Sequence, residues 1–389
     1  MQITHQPQDS KHASGNVPLL SADTTWASGS TTCLWSEASH LTLRRWIATM
    51  FALTTVSLLV MIGCLRFGVE EIGFSDAGRI LIQTLQGWHT SVESGGPAGM
   101  ILIQLRLPRV ILGFLVGSSL ATVGAALQAL LRNPLADPYV LGISSGAALG
   151  AAVAILLGIG TTVLAISTLP LFAFAGGLMA LVLVYRIAAS YGRLPVHVLL
   201  LAGVLLNAIF SALIMFITSI MDPNRSFGMM SWLMGTLSAP TYPAMAVVAS
   251  YLIVGGLILI SQARALDLLS LGEESALSMG VEVHKVKKIV FFTAALLTGA
   301  VVSVSGMIGF VGMIIPHAVR MVIGADHRLL LPASALVGGA FLIVADTVAR
   351  TVLAPGEIPV GVVTALAGGP FVIFLLMHRK SGIASLRDR

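Results

Sequence analysis

RALDLLSLGEESALSMGVEVHKVKK, residues 264 to 288, is a polar island between two long apolar runs, and the rest of the chain is laid out around it. Its middle, Leu271 to Val281, predicts one short helix. Glu273 and Glu274 fall in the first turn, where the helix dipole favours acids, and Gly280 stands where a left-handed helix end is needed. The island reads as a compact knob held at a membrane surface. Two uses are open for it at this level: a docking point for a partner, or an ordinary polar connection between two spans.

On both sides of the island the composition is that of a polytopic membrane protein. Hydrophobic residues make up 56% of the 389 residues, charged residues only 10%, and the mean hydropathy is +0.93. Soluble domains carry roughly 25% charged residues. Nearly all of Trp46 to Met377 lies in apolar runs, enough for about ten spans of roughly 20 residues each. The expected fold is all-α, one transmembrane domain over residues 46–380 with both termini cytoplasmic. Residues 1–45, rich in Ser, Thr, His and Gln, lack the charged start and adjoining apolar core of a cleavable signal peptide and are read as a disordered tail. Residues 381–389 are read as a second, short cytoplasmic tail. The formal charge of +5 and pI near 9.5 are topology signals in such a chain, not a nucleic-acid footprint. Cys33 and Cys64 are too few for a disulfide framework or a metal site, so neither metal nor cofactor is expected.

Taken outward from the island, span six is about Ala244 to Ile260. After the island, Ile289 to Gly324 would be about 54 Å long as a single helix, well beyond a hydrocarbon core of about 30 Å. It is therefore broken near Ser303 to Gly306 into spans seven and eight. Spans nine and ten are about Leu330 to Thr347 and Ile358 to Met377. Before the island come spans at about Trp46 to Leu65, Val110 to Leu131, Tyr139 to Leu157, Thr168 to Ala189 and Val196 to Ile220. Ser75 to Thr90 predicts a short surface helix, and the Met229 to Gly235 segment a half-buried interfacial one. Pro134 and Pro138 make the exit from span two an ordered turn. Gly142, Gly146 and Gly150, four apart, predict one close-packing helix face in span three. Ten spans place sixteen of the 22 Lys and Arg residues on the cytoplasmic side, the island's included, and six outside, as the positive-inside rule asks.

The chain has no G-x-x-x-x-G-K-[ST] phosphate loop, no H-E-x-x-H pair and no G-x-S-x-G elbow. It is not read as an enzyme; if it belongs to a pump, ATP hydrolysis sits on another polypeptide. Intramembrane ionisable residues are few and are candidates by default. Asp346 and Arg350, four apart, share a helix face and can pair, which makes Asp346 a structural tether. His317, after Pro316, is read as a polar packing residue beside the carbonyl that a proline frees, with a proton relay as the other reading. Arg106, Arg109 and Arg350 fall outside against the positive-inside trend. They serve either to steer an acidic partner or to snorkel to lipid phosphate.

Several motifs in order then carry a resemblance: RLPR (106–109), QALLRNPLADPYVLGISSGA (128–147), LGEESALSMGV (271–281), SGMIGFVGMIIPHAVR (305–320), DHRLLLPASAL (326–336), ADTVAR (345–350) and EIPVGVVTALAGGPFVIFLL (357–376). From about Arg106 to its end the chain resembles the permease subunits of bacterial type II ABC importers, the group that carries cobalamin, haem and ferric siderophores. The resemblance implies ten spans per subunit in the bacterial inner membrane, a homodimer, two ATP-binding partner subunits and a periplasmic substrate-binding protein. It makes residues 266–281 the ATPase-coupling helices, with Leu271, Gly272, Glu273, Glu274, Ala276 and Gly280 at the matching positions. It assigns Arg106, Arg109 and Arg350 to binding-protein docking, and Asn133 and Leu135 to the cytoplasmic gate. Transport by alternating access follows. The rival reading from the residues is an ion-coupled secondary transporter, which would need Asp346 or His317 as its coupling group.

Overall fold

The computed structural model of the protein describes residues 42–67, 99–158, 168–190, 192, 194–237 and 241–387. The expected surface helix at 75–90 and most of the 1–45 tail lie outside those residues. Every described element is helical. The longer helices are α1 (Leu43–Arg66), α2 (Leu107–Leu130), α3 (Ile143–Leu156), α4 (Thr168–Ser190), α5 (Val196–Ile220), α6 (Pro223–Leu233) and α7 (Tyr242–Ser261). The island follows as α8 (Ala263–Ser270) and α9 (Glu273–Ser278), and then come α10 (Val283–Ser305), α11 (Val311–Ile323), α12 (His327–Thr351) and α13 (Val360–Arg387). Among the described residues seven helices are long and apolar enough to cross a membrane, α2 being counted from Ile101; α3, α11 and the first part of α13 are shorter apolar helices.

The bundle is built around α2, whose most apolar window is 83% buried, while that of α1 is 11% buried. The reason is side-chain size. Gly113, Gly117, Ser118, Ala121 and Gly124 line α2, and a small residue lets a neighbouring backbone approach where a larger one would hold it off. A Cβ on Gly117 would lie 2.2 Å from the carbonyl oxygen of Gly338 in α12, and one on Gly338 2.6 Å from that of Gly117, so α2 and α12 cross backbone to backbone. Ser118 adds a hydrogen bond from its hydroxyl to the Ala335 carbonyl at 2.8 Å.

The glycine face expected in span three divides in two. Gly146 and Gly150 pack against Gly176 and Phe172 of α4. Gly142 lies outside the helix; it is left-handed (φ +77°) and ends a short 3-10 turn, Pro138–Leu141, against Gly203 of α5. The side chain of Asp137 caps that turn by accepting a hydrogen bond from the Tyr139 amide at 2.9 Å. It is the kind of local bond that lets Asp stop one element and start another.

The break expected near Ser303 to Gly306 is present: α10 ends at Ser305, and Gly306 turns the chain with φ +66°. The segment expected to be helical at Met229 to Gly235 falls in α6, which starts earlier and ends at Leu233; it is started by Asp222, whose carboxylate accepts from the Arg225 amide at 3.1 Å. The one short helix expected over 271–281 is α9, Glu273–Ser278, and a second short helix, α8, precedes it, parted from it at Gly272 with φ +127°. No L side chain rests easily at that φ, so the helix must break there. The far end is as expected: Gly280 is left-handed (φ +82°), the Val281 amide reaches back to Ala276 and the Gly280 amide to Leu277, a Schellman end.

Candidate functional site

Charged side chains gather at two ends of the bundle. Helix α12 reaches from one to the other, with His327 at the island and Arg350 about 34 Å away along the axis.

At the far end, a single π-helical turn, Ile101–Arg106, leads into α2 and sets Arg106 and Arg109 facing the last turns of α12. Arg109 is the centre of the cluster. Its Nε lies 3.0 Å from each carboxylate oxygen of Asp346, its Nη2 2.9 Å from Oδ1, and its Nη1 3.0 and 3.1 Å from the two oxygens of Glu357. Asp346 is 3% exposed and Glu357 50%. Asp346 and Arg350, the pair expected from their spacing, stand 3.5 Å apart, and the hydrogen bonds of Asp346 go to Arg109 instead. A guanidinium fork meets a carboxylate best side-on, which favours the cross-helix partner.

None of the three arginines is an open surface charge. Arg350 is buried and donates to the Cys64 carbonyl at 3.1 Å. Arg106 is buried and donates to the Leu65 and Arg66 carbonyls at 3.1 and 3.0 Å. These are the last carbonyls of α1, which have no partner inside their own helix, and a cation also suits the negative end of the helix dipole. Glu357 went unrecognised in the sequence because it stands in a loop, with no spacing rule to tie it to Arg109.

At the island end, Glu273 Oε1 lies 2.7 Å from Lys287 Nζ and 3.8 Å from Arg132 Nη2. Lys287 is buried and its Nζ reaches the Leu194 carbonyl at 3.5 Å. His327 Nδ1 is 2.5 Å from Asp267 Oδ1, which also accepts from the His327 amide at 3.0 Å, fixing α8 to the start of α12. Of the six island residues singled out in the sequence, Leu271, Glu274 and Gly280 are exposed, Gly272 is half-buried, Glu273 turns inward to Lys287, and Ala276 is fully buried. Leu277 and Met279 add to the exposed apolar surface. The sequence held a signal for Lys287. Val283, Val286, Lys287, Val290, Phe291 and Ala294 form one buried helical stripe, so of the Lys287-Lys288 pair the first had to face inward.

Beside the island lies the turn after α2. Arg132 is left-handed (φ +48°), the Asn133 amide bonds back to Gln128, and the Asn133 side chain accepts from the Leu135 amide at 3.0 Å. Asn133 is exposed and Leu135 half-buried. The buried Asp137 that follows has its carboxyl pushed up to about 6 by burial, partly offset by hydrogen bonds from the Tyr139 and Phe310 backbone. His317 is half-buried in α11 beside the buried Pro316. Among the described residues no group of His, Cys, Asp and Glu side chains could hold a metal ion.

The model of the FecCD transport family matches residues 52–378. The chain belongs to this family. Members similar to it include the cobalamin import system permease protein BtuC of Halobacterium salinarum, 46% identical over 73% of this chain and 75% of that one. The hemin transport system permease protein HmuU of Yersinia pestis is 39% identical over 83% and 95%. A solved structure described as an inward-facing conformation of a metal-chelate type ABC transporter matches with a TM-score of 0.72 at 31% identity, over 85% of this chain and 99% of that one. For this family member the all-helical fold with several apolar helices is that of a multi-pass membrane protein, a transport subunit by family.

Proposed function

We propose that the chain is the membrane-spanning permease of an ATP-driven importer that moves an iron chelate, such as a ferric siderophore or haem, or cobalamin into the cytoplasm. The observation that carries this reading is the FecCD match over residues 52–378, which takes in the island, the turn at 132–138 and the arginine cluster together. The seven long and three shorter apolar helices of the described residues fit ten spans within residues 46–380, both termini on the cytoplasmic side and the chain in the bacterial inner membrane, with 1–45 and 381–389 as tails. The active unit is a homodimer, with two ATP-binding subunits on the island face and a periplasmic binding protein on the arginine face.

In this reading the exposed Leu271, Glu274, Leu277 and Met279 form the knob that enters the ATP-binding partner, since a contiguous exposed apolar surface marks a docking place. Gly272 and Gly280 frame the knob by ending its helices, while Ala276 and Glu273 seat it on the bundle. Asn133 and Leu135 lie at the cytoplasmic gate. Three guanidiniums against two carboxylates leave the arginine end net positive, so Arg106, Arg109 and Arg350 attract an acidic docking face as a cluster, Arg109 being the most accessible of them. ATP binding closes the partner subunits, the islands move with them, and the path changes sides.

The test is co-purification of the tagged chain with a P-loop ATP-binding subunit, then ATP hydrolysis in liposomes with a binding protein loaded in turn with haem, a ferric siderophore or cobalamin. Stimulation by one loaded form is expected and names the cargo. A chain that retains no ATP-binding subunit and moves solute on an ion gradient alone would be a secondary transporter, and the proposal would be wrong.

A further inference from the structure

We infer that Glu273, Lys287 and Arg132 are the linkage through which the island moves the turn at 132–135, Glu273 acting as a positioning residue and not as a contact for the ATP-binding partner. The inference rests on the importer reading and goes beyond it by naming the joint. Glu273 and Glu274 are adjacent and alike in sequence, yet the structure separates them. Glu274 is exposed on the knob, while Glu273 turns its carboxylate inward onto two cations from two other segments.

The two cations differ in what they hold. Lys287 belongs to the buried stripe of α10, touches Glu273 at 2.7 Å and the Leu194 carbonyl at 3.5 Å, and is enclosed by the bundle. It is the fixed point. Arg132 is half exposed, lies 3.8 Å from the same carboxylate oxygen, and belongs to the turn itself, one residue before Asn133 and three before Leu135. Its left-handed backbone is where the chain leaves α2. A carboxylate shared between a near cation and a farther one redistributes its attraction when it is displaced by an ångström or two, because the Coulomb energy at such separations changes steeply with distance. Movement of α9 relative to α10 therefore pulls on Arg132 or lets it go, and the turn follows. Ala276, fully buried one turn along α9, makes the short helix move as a rigid piece with this junction.

The choice of variant follows from the burial. Removing Glu273 leaves a buried ammonium without its counter-charge and endangers the fold. Lys287→Met keeps the volume, and the carboxylate it deserts, 34% exposed, can take up water. The experiment uses the complete complex in proteoliposomes with loaded binding protein and measures chelate taken up per ATP hydrolysed, alongside recovery of the ATP-binding subunit on purification. For Lys287→Met we expect the ATP-binding subunit to be retained and transport per ATP to fall about tenfold. Lys287→Arg, which keeps a cation against Glu273 and leaves Arg132 its carboxylate, should retain about a third or more of the ratio. A purely structural role would lower complex yield and leave the ratio where it was. An unchanged ratio in Lys287→Met, with the ATP-binding subunit retained, overturns the linkage. A wild-type chain that holds no ATP-binding subunit overturns the importer reading, and the linkage with it.

Discussion

The two charged ends of this bundle use the same residue types to opposite effect. At the Arg109 end, two carboxylates are divided among three guanidiniums, and the guanidiniums that remain over are spent on the last carbonyls of α1. The groups are mostly buried and the hydrogen bonds run between α1, α2, α12 and the loop at Glu357, so the end is welded. At the island end one half-exposed carboxylate serves two cations at unequal distances, beside exposed Leu271, Leu277 and Met279. That end is jointed. The buried carboxylates make the contrast sharper. Asp346 sits among cations, whereas Asp137 is held by backbone amides.

If the first end is welded, Asp346→Asn should have the largest effect, since it strands Arg109 and Arg350 in a buried site. We expect a loss of about 3–5 kcal/mol of stability, read as thermal unfolding of the purified chain in detergent. A loss under about 1 kcal/mol, the range of exposed pairs, would end the comparison. Next comes Asp137, whose carboxyl is raised to about 6. Its folded-state value lies above the unfolded one, so the fold favours the protonated form. Stability from this group is fully present below about pH 4 and falls away as pH rises to about 6, by on the order of 3 kcal/mol. Asp137→Asn should flatten that part of the stability profile, and a profile left unchanged would mean that Asp137 is not what titrates there. Arg106→Gln should loosen the end of α1 by about 1–3 kcal/mol, seen as faster maleimide labelling of the buried Cys64 thiol. Labelling at the wild-type rate would show that Arg350 alone holds the helix end. Glu357→Gln, at a half-exposed position, should cost under about 1 kcal/mol; a larger loss would make Glu357 as much a part of the weld as Asp346.

Much of this was legible in the residues. Spans one to six fall within a few residues of α1 to α5 and α7, because apolar runs bounded by Pro, Gly and charge leave little choice where a helix starts. The break before Gly306 was legible from length alone. The island's interior was not. Gly280 announced a helix end, but no signal announced the helix α8 before Gly272, whose φ of +127° parts it from α9. The candidate site was legible as a set of residues and not as a set of contacts. Asp346 with Arg350 obeyed a local spacing rule, and the stronger partner, Arg109, lies 237 positions away. Long-range pairing of this kind leaves no trace in a single sequence. The three arginines were read as outward-facing charges because the positive-inside rule assigns a side of the membrane and says nothing about burial.

The thin attachment of α1 has a consequence for how the protein is made. Its fastenings are few and distant. Trp46 donates its indole N–H to the Arg328 carbonyl, Ser57 its hydroxyl to the Leu336 carbonyl, and the carbonyls at the other end await Arg106 and Arg350. All but Arg106 belong to α12, so the earliest of the described helices to leave the ribosome waits beside an unfinished bundle until nearly 300 further residues have been synthesised. In the interval Arg106 and lipid must keep it upright, and its run of exposed apolar side chains, Phe51, Val56, Leu59 and Ile62 among them, suits it to lipid.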